Sequence, residues 1–179
     1  MMGDDDHRLI TASLRGNRRA FGEIVERYYR VIYRTAKRIT GDAATAEDVT
    51  QDVFLAAYEK LATFDFRHRF FSWLYRMAVN QSLNKLRGRE RLVEFDEEGF
   101  EGNGQAPDST YDSERIGTIV DGALGRLSVD SRTVIVLYHY QELSYDEISY
   151  ILDIPVKKVK SRLYEARVSL RALVKQGAD

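Results

Sequence analysis

Apolar residues recur along this chain at helical spacing almost from end to end. Phe21, Ile24, Val25, Tyr28, Ile32 and Ile39 share one face of a helix over about 18–39, and Gly41 follows where a left-handed C-terminal cap belongs. Val49, Val53, Phe54, Ala57 and Leu61 draw a second stripe over 46–62, with Thr45 as its expected N-terminal cap. A shorter helix over 6–15 stops at Gly16-Asn17, and a fourth over 70–88 turns Trp73, Leu74, Met77 and Ala78 inward. Further helices follow over 113–127 and 129–141. No stretch shows period-two alternation bounded by turn residues, so the pattern predicts an all-α protein.

The segment from Leu143 onward carries the sharpest local signal. Ser144 with Glu147 three residues later has the spacing of a capping box, and Ile148, Ile151 and Leu152 then fall on one face. Asp153-Ile154 breaks that helix, and Pro155 stands where a second helix takes its first residue, because its fixed φ suits the position and its missing N–H costs nothing there. Beyond it, Val159, Leu163, Ala166, Leu170 and Leu173 form an inner stripe, while Lys157, Lys158, Lys160, Ser161, Arg162, Tyr164 and Arg167 lie outside. A short helix, a tight turn and a basic second helix predict a helix-turn-helix whose second helix enters the DNA major groove. A solvated, lysine-rich surface helix is the plainer alternative.

Charge changes the picture more than composition does. The 179 residues include 27 Lys and Arg against 28 Asp and Glu, so the net charge of −1 argues weakly against a nucleic-acid partner. Residues 67–91, however, hold seven Lys or Arg and one acid, and residues 155–176 repeat those numbers. Between them residues 94–114 hold eight acids and no Lys or Arg. Local field steers a polyanion more than net charge does. The acidic, Gly-containing, non-periodic stretch predicts a flexible linker over 92–112, which divides the chain into domains at 1–91 and 113–179.

A hydrophobic content of 44% is enough to bury a core, and no run is long and apolar enough to span a membrane. The acidic N-terminus carries no apolar segment and does not read as a secretory signal. The absence of cysteine rules out disulfides and thiolate metal sites and agrees with a reducing, cytoplasmic setting. His7, His68 and His139 lack metal-ligand spacing, and no phosphate-binding glycine loop or nucleophile elbow occurs. No cofactor is expected, and the chain does not read as an enzyme.

Three stretches, Ala46-Glu-Asp-Val-Thr-Gln-Asp-Val-Phe, Phe70-Phe-Ser-Trp-Leu-Tyr-Arg-Met-Ala-Val-Asn and Pro155-Val-Lys-Lys-Val-Lys-Ser-Arg-Leu, occur in this order with a linker before the third. Together they resemble the bacterial extracytoplasmic-function sigma factors over about residues 18–173. The resemblance implies two helical domains, the first binding core RNA polymerase and reading and melting the minus-ten promoter element, the second reading the minus-thirty-five element. It assigns polymerase binding to Asp48, Gln51, Asp52 and Phe54. Contacts to the minus-ten strand fall on the loop Phe64-Asp-Phe-Arg-His-Arg, including Arg67, and on Arg76, Asn80, Asn84, Lys85 and Arg87. Lys160, Ser161 and Tyr164 are expected nearest minus-thirty-five base edges, with Lys157, Lys158, Arg162 and Arg167 on phosphates. An anti-sigma factor is the further partner the resemblance implies. A helix-turn-helix regulator that is not a polymerase subunit, and a helical adaptor that binds only protein, remain open on the residues alone. A regulator needs a ligand pocket or dimer seam in its first domain; this one offers an acidic and a basic face on one bundle.

Overall fold

The computed structural model describes residues 2–93 and 112–178, and most of the expected acidic linker lies outside them. Helices α1 (Met2–Leu14), α2 (Arg18–Thr40), α3 (Ala43–Glu59) and α4 (Phe70–Val93) build the first region, with a 3-10 turn over Leu61–Thr63 leading out of α3. The second region comprises α5 (Asp112–Arg126), α6 (Val129–Ile135), a π-helical turn over Val136–Tyr140, α7 (Tyr145–Leu152) and α8 (Val156–Ala178).

Local chemistry sets most of these boundaries. The Asn17 side chain accepts from the N–H groups of Arg19 and Ala20 at the start of α2. At its end Gly41 adopts φ 77° and donates its N–H to the Lys37 carbonyl, a left-handed closure that favours glycine. Helix α3 begins earlier than the apolar stripe suggests. Its cap is Asp42, not Thr45; the Asp42 carboxylate accepts from both the N–H and the hydroxyl of Thr45. Asp and Thr are both good caps, and Ala43-Ala44 extend the helix at no cost, so the upstream acid prevails. The hydrogen bonds from Thr45 lower the Asp42 pKa.

Helix α4 continues past Gly88 to Val93. One glycine costs a helix about 1 kcal/mol relative to Ala and does not end it. In the second region the expected helix over 129–141 widens in its last turn to π geometry, with Gln141 N–H donating to the Val136 carbonyl. That turn places Tyr140 under the Arg38 guanidinium, 4.1 Å from the ring centre, and stacks Tyr138 on Tyr145.

The two regions pack together. Buried apolar residues form one contiguous cluster from Leu9 to Ala166, and α4 lies against α7 while α2 meets α6. Arg132 is central to the second contact. It is 9% exposed, and its guanidinium donates to the carbonyls of Ile39 in the first region and of Gly125 and Leu127 in the second. The Ile39 carbonyl belongs to the last turn of α2, where helix carbonyls lack intrahelical donors and a cation is favoured. Burial lowers the Arg132 pKa, but an arginine remains charged, so its stability depends on these carbonyls. Replacing Arg132 by Met is expected to destabilise the protein by about 2–4 kcal/mol, because buried carbonyls are left without donors. A lowered midpoint in urea unfolding checks this; a change below about 0.5 kcal/mol would mean water satisfies the carbonyls equally well.

Candidate polymerase and DNA interfaces

Helix α3 presents an acidic outer face. Glu47, Asp48 and Gln51 are exposed and Asp52 is half-buried, while Ala46, Val49, Thr50, Val53 and Ala57 hold the opposite face in the core. Phe54 sits where the apolar stripe puts it and not on the outer face that the family resemblance suggests. It is 7% exposed and stacks on Tyr29 at 6.2 Å, so it anchors α3 to α2 instead of offering contact area. The apolar surface beside the acids belongs to Leu55, 65% exposed, and Tyr58, whose ring packs edge-on against Phe21. The helical stripe through Val49, Val53 and Ala57 excludes both residues from the core side, a signal already present in the spacing.

Lys85 projects from α4 onto that acidic face, with Nζ 3.4 Å from Asp52 and 4.0 Å from Asp48. It therefore neutralises part of the α3 face in the free chain, although expected beside the minus-ten strand. Asn80, Asn84 and Arg87 are exposed along α4. Trp73 packs between Phe64 and Phe70 at ring separations of 5.4 and 5.5 Å, a core role consistent with its inward stripe.

Arg76 does not face solvent freely. Its Nη1 donates to the Tyr150 carbonyl in the last turn of α7, 2.9 Å away, and its Nη2 lies 3.5 Å from Asp153. Next to it the His68 ring stacks on Tyr150 at 4.2 Å, Arg69 pairs with Glu147 at 3.0 Å, and the Tyr75 hydroxyl donates to Gln141. Burial pushes the Tyr75 hydroxyl up to about 12. Helix α7 thus covers the α4 end of the basic face, an arrangement that helical periodicity cannot announce. In the loop itself, Arg67 is 88% exposed but forked onto Asp65, and these hydrogen bonds hold the Asp65 carboxyl at about 2.

The helix-turn-helix forms as the sequence dictates. Ser144 accepts from the Glu147 N–H and Glu147 reaches back to the Ser144 N–H. The hydrogen bonds from Ser144 and Arg69 outweigh the burial of Glu147 and lower its pKa. Asp153 makes the turn in the left-handed region at φ 55°, which its short polar side chain tolerates. Pro155 lies one residue before α8, where its carbonyl accepts from Lys158 and Val159. Val159, Leu163 and Ala166 are buried. Lys157, Lys158, Lys160, Ser161 and Tyr164 are exposed, Tyr164 by 71%. Three cations of this face are engaged internally: Arg162 pairs with Asp130 at 3.0 Å, Arg167 Nε donates to His139 while its guanidinium covers Tyr138, and the Lys160 ammonium lies 5.4 Å from the centre of the Tyr145 ring.

Among the described residues no group of His, Asp and Glu is placed to hold a metal ion, and no helix is long and apolar enough to cross a membrane. What these faces belong to is resolved by comparison. Residues 24–92 match the sigma-70 region 2 model and residues 118–170 the region 4 model. The chain is 34% identical over 168 residues to the ECF RNA polymerase sigma factor SigW of Bacillus subtilis, covering 88% of this chain and 90% of that one. It is 32% identical over 176 residues to the ECF RNA polymerase sigma-E factor of Escherichia coli, covering 92% of each. Similar solved structures include CnrH in complex with the cytosolic domain of CnrY (TM-score 0.72, 29% identity, 97% of this chain and 99% of that one) and the sigma factor RpoE in complex with the anti-sigma factor NepR from Bartonella quintana (TM-score 0.74, 25% identity, 87% and 96%). With both sigma-70 regions present in order and whole sigma factors matched along nine-tenths of its length, this chain belongs to the ECF sigma factors, the non-catalytic RNA polymerase subunits that start transcription at specific promoters.

Proposed function

We propose that residues 1–91 bind core RNA polymerase and read and melt the minus-ten element, that residues 113–179 read the minus-thirty-five element, and that residues 92–112 tether the two as an acidic linker. The observation that carries this reading is one bundle with two opposed chemistries: an acidic α3 face built on Asp48, Gln51 and Asp52, and a basic, amide-bearing α4 face with Asn80, Asn84 and Arg87. The acids suit an Arg- or Lys-bearing partner helix. The amides offer a donor and an acceptor to base edges, with cations for phosphates. Arg67 joins that DNA face from the exposed loop once it leaves Asp65, Arg76 once α7 withdraws, and Lys85 once polymerase takes over the α3 acids.

On α8, Lys160, Ser161 and Tyr164 face the bases and Lys157, Lys158, Arg162 and Arg167 the phosphates. Glu165, exposed on the same helix, can accept from cytosine N4. An anti-sigma factor is the further partner. Support for it comes from the similar structures, one of which is a complex with an anti-sigma factor. The protein works in the cytoplasm, where the polymerase is.

Run-off transcription with bacterial core polymerase on a randomised promoter library tests the reading. Specific transcripts in the presence of this protein, sharing two sequence elements, are the expected result; polymerase binding without initiation would reduce the chain to a decoy. With a minus-thirty-five duplex so identified, Lys158→Ala is expected to lower the slope of log affinity against log salt by about one unit, uniformly across sequences. An unchanged slope in a fluorescence-anisotropy titration would remove Lys158 from the phosphate contacts.

A further inference from the structure

Helix α1 precedes the stretch matched to sigma-70 region 2, which begins at residue 24. It is nevertheless fixed in place. Leu9 and Ile10 are buried, and the Arg27 guanidinium of α2 pairs with both Asp5 and Asp6. Asp6, 4% exposed, also accepts from the Tyr28 hydroxyl at 2.6 Å. The charge-assisted clasp leaves the next residue, His7, in a defined position. Its ring meets Phe66 edge-on, with centroids 5.0 Å apart and planes at 87°. Phe66 is 44% exposed and is itself braced by Phe64 at 5.1 Å.

Between α1 and the 64–69 loop lies an open cavity of about 180 Å³, lined by Asp6, His7, Phe66, Arg67, Arg69 and Phe71 among others. Its walls combine the half-exposed Phe66 ring, the guanidinium groups of Arg67 and Arg69, and two imidazoles, of which His68 is stacked on Tyr150 and His7 is turned to Phe66. An aromatic face stacks any base, and both guanidinium groups, which could otherwise read guanine, are engaged by carboxylates, Arg67 by Asp65 and Arg69 by Glu147. A neutral imidazole carries one donor and one acceptor, so it does distinguish base edges.

We propose that His7 of α1 is a specificity-determining residue for the unpaired promoter base that the 64–69 loop accepts. The inference rests on the minus-ten reading of that loop and deepens it: the loop supplies stacking and charge, and α1 supplies the selection. The N-terminal helix is then part of the promoter-reading surface as well as a structural addition to the bundle.

The test sequences initiated transcripts from a promoter library with randomised minus-ten elements, using holoenzymes of the full-length wild type, His7→Ala, His7→Asn and Phe66→Ala. His7→Ala is expected to flatten the base preference at one minus-ten position by about five- to tenfold, with preferences at the minus-thirty-five element unchanged. His7→Asn, which keeps a donor and an acceptor in another geometry, is expected to shift the preferred base at that position. Phe66→Ala should weaken the same position and lower total initiation. If Phe66→Ala alters that position and both His7 variants match wild type, the role given to α1 is wrong. If Phe66→Ala also leaves every minus-ten preference intact, the loop does not hold a base and the underlying reading fails with it.

Discussion

Replacing Asp48 and Asp52 together by lysine is expected to lower the affinity for core RNA polymerase at least a hundredfold and to abolish promoter-directed transcription. Both carboxylates sit on the exposed side of α3, with side chains 68% and 42% exposed, so neither is required by the core. Their pairing with Lys85 is solvent-exposed and worth about 0–1 kcal/mol, which limits the cost of the substitutions to folding. Against a basic partner helix the balance differs. Two attractions become two like-charge juxtapositions in a partly desolvated interface, at several kcal/mol in all, and each 1.4 kcal/mol is about tenfold in affinity. The control is the same charge change elsewhere: Asp121→Lys with Asp146→Lys, on exposed positions of α5 and α7, should bind polymerase within about threefold of wild type. Measured by surface plasmon resonance on immobilised core enzyme, wild-type affinity for the α3 variant would remove the acidic face from the interface.

Helix-level features were legible in the sequence because their causes lie within four residues. Gly41, the Ser144–Glu147 box and the apolar stripes of α2 and α8 all appear as spacing predicts. Spacing leaves a boundary open where two local solutions compete, as with Asp42 and Thr45 at the start of α3. For Phe54 the spacing and the family resemblance disagree: the stripe through Val49, Val53 and Ala57 places it inward, where the Tyr29 ring of another helix covers it, and only the resemblance places it outside. The contacts between regions have no local signature. Arg69 and Glu147 are 78 positions apart and Arg132 donates to a carbonyl 93 positions away. Periodicity identified Arg76 as an outward residue of α4, but says nothing about a second helix that lies over it.

That covering helix yields the other large effect. The two promoter elements are centred about 25 base pairs apart, about 85 Å along B-form DNA. A domain of about 90 residues has a diameter of about 30 Å, so two in contact span about 60 Å at most. If the two regions read these two elements as proposed, the packed arrangement cannot read both at once and α7 has to leave α4; a chain of 18 residues such as 94–111 reaches about 60 Å at full extension. The ion pairs that hold α7 there, such as Arg69 with Glu147 at 65% and 21% exposed, contribute about 0–1 kcal/mol each, beside the His68–Tyr150 stack and the Arg76 bond to the Tyr150 carbonyl. On the proposed reading polymerase and promoter bind only the separated form, and their binding must outweigh these contacts together with the Arg132 bond to the Ile39 carbonyl. A covalent bridge removes the competition. The chain has no cysteine, so Arg69→Cys with Glu147→Cys provides the only two thiols for a short bismaleimide. The bridged protein is expected to lose promoter-specific run-off transcription at least a hundredfold relative to the same double variant capped with a monofunctional maleimide, because both carry identical substitutions and differ only in the link. Equal initiation by the bridged and capped forms would mean that the two promoter elements are read without separation of the regions.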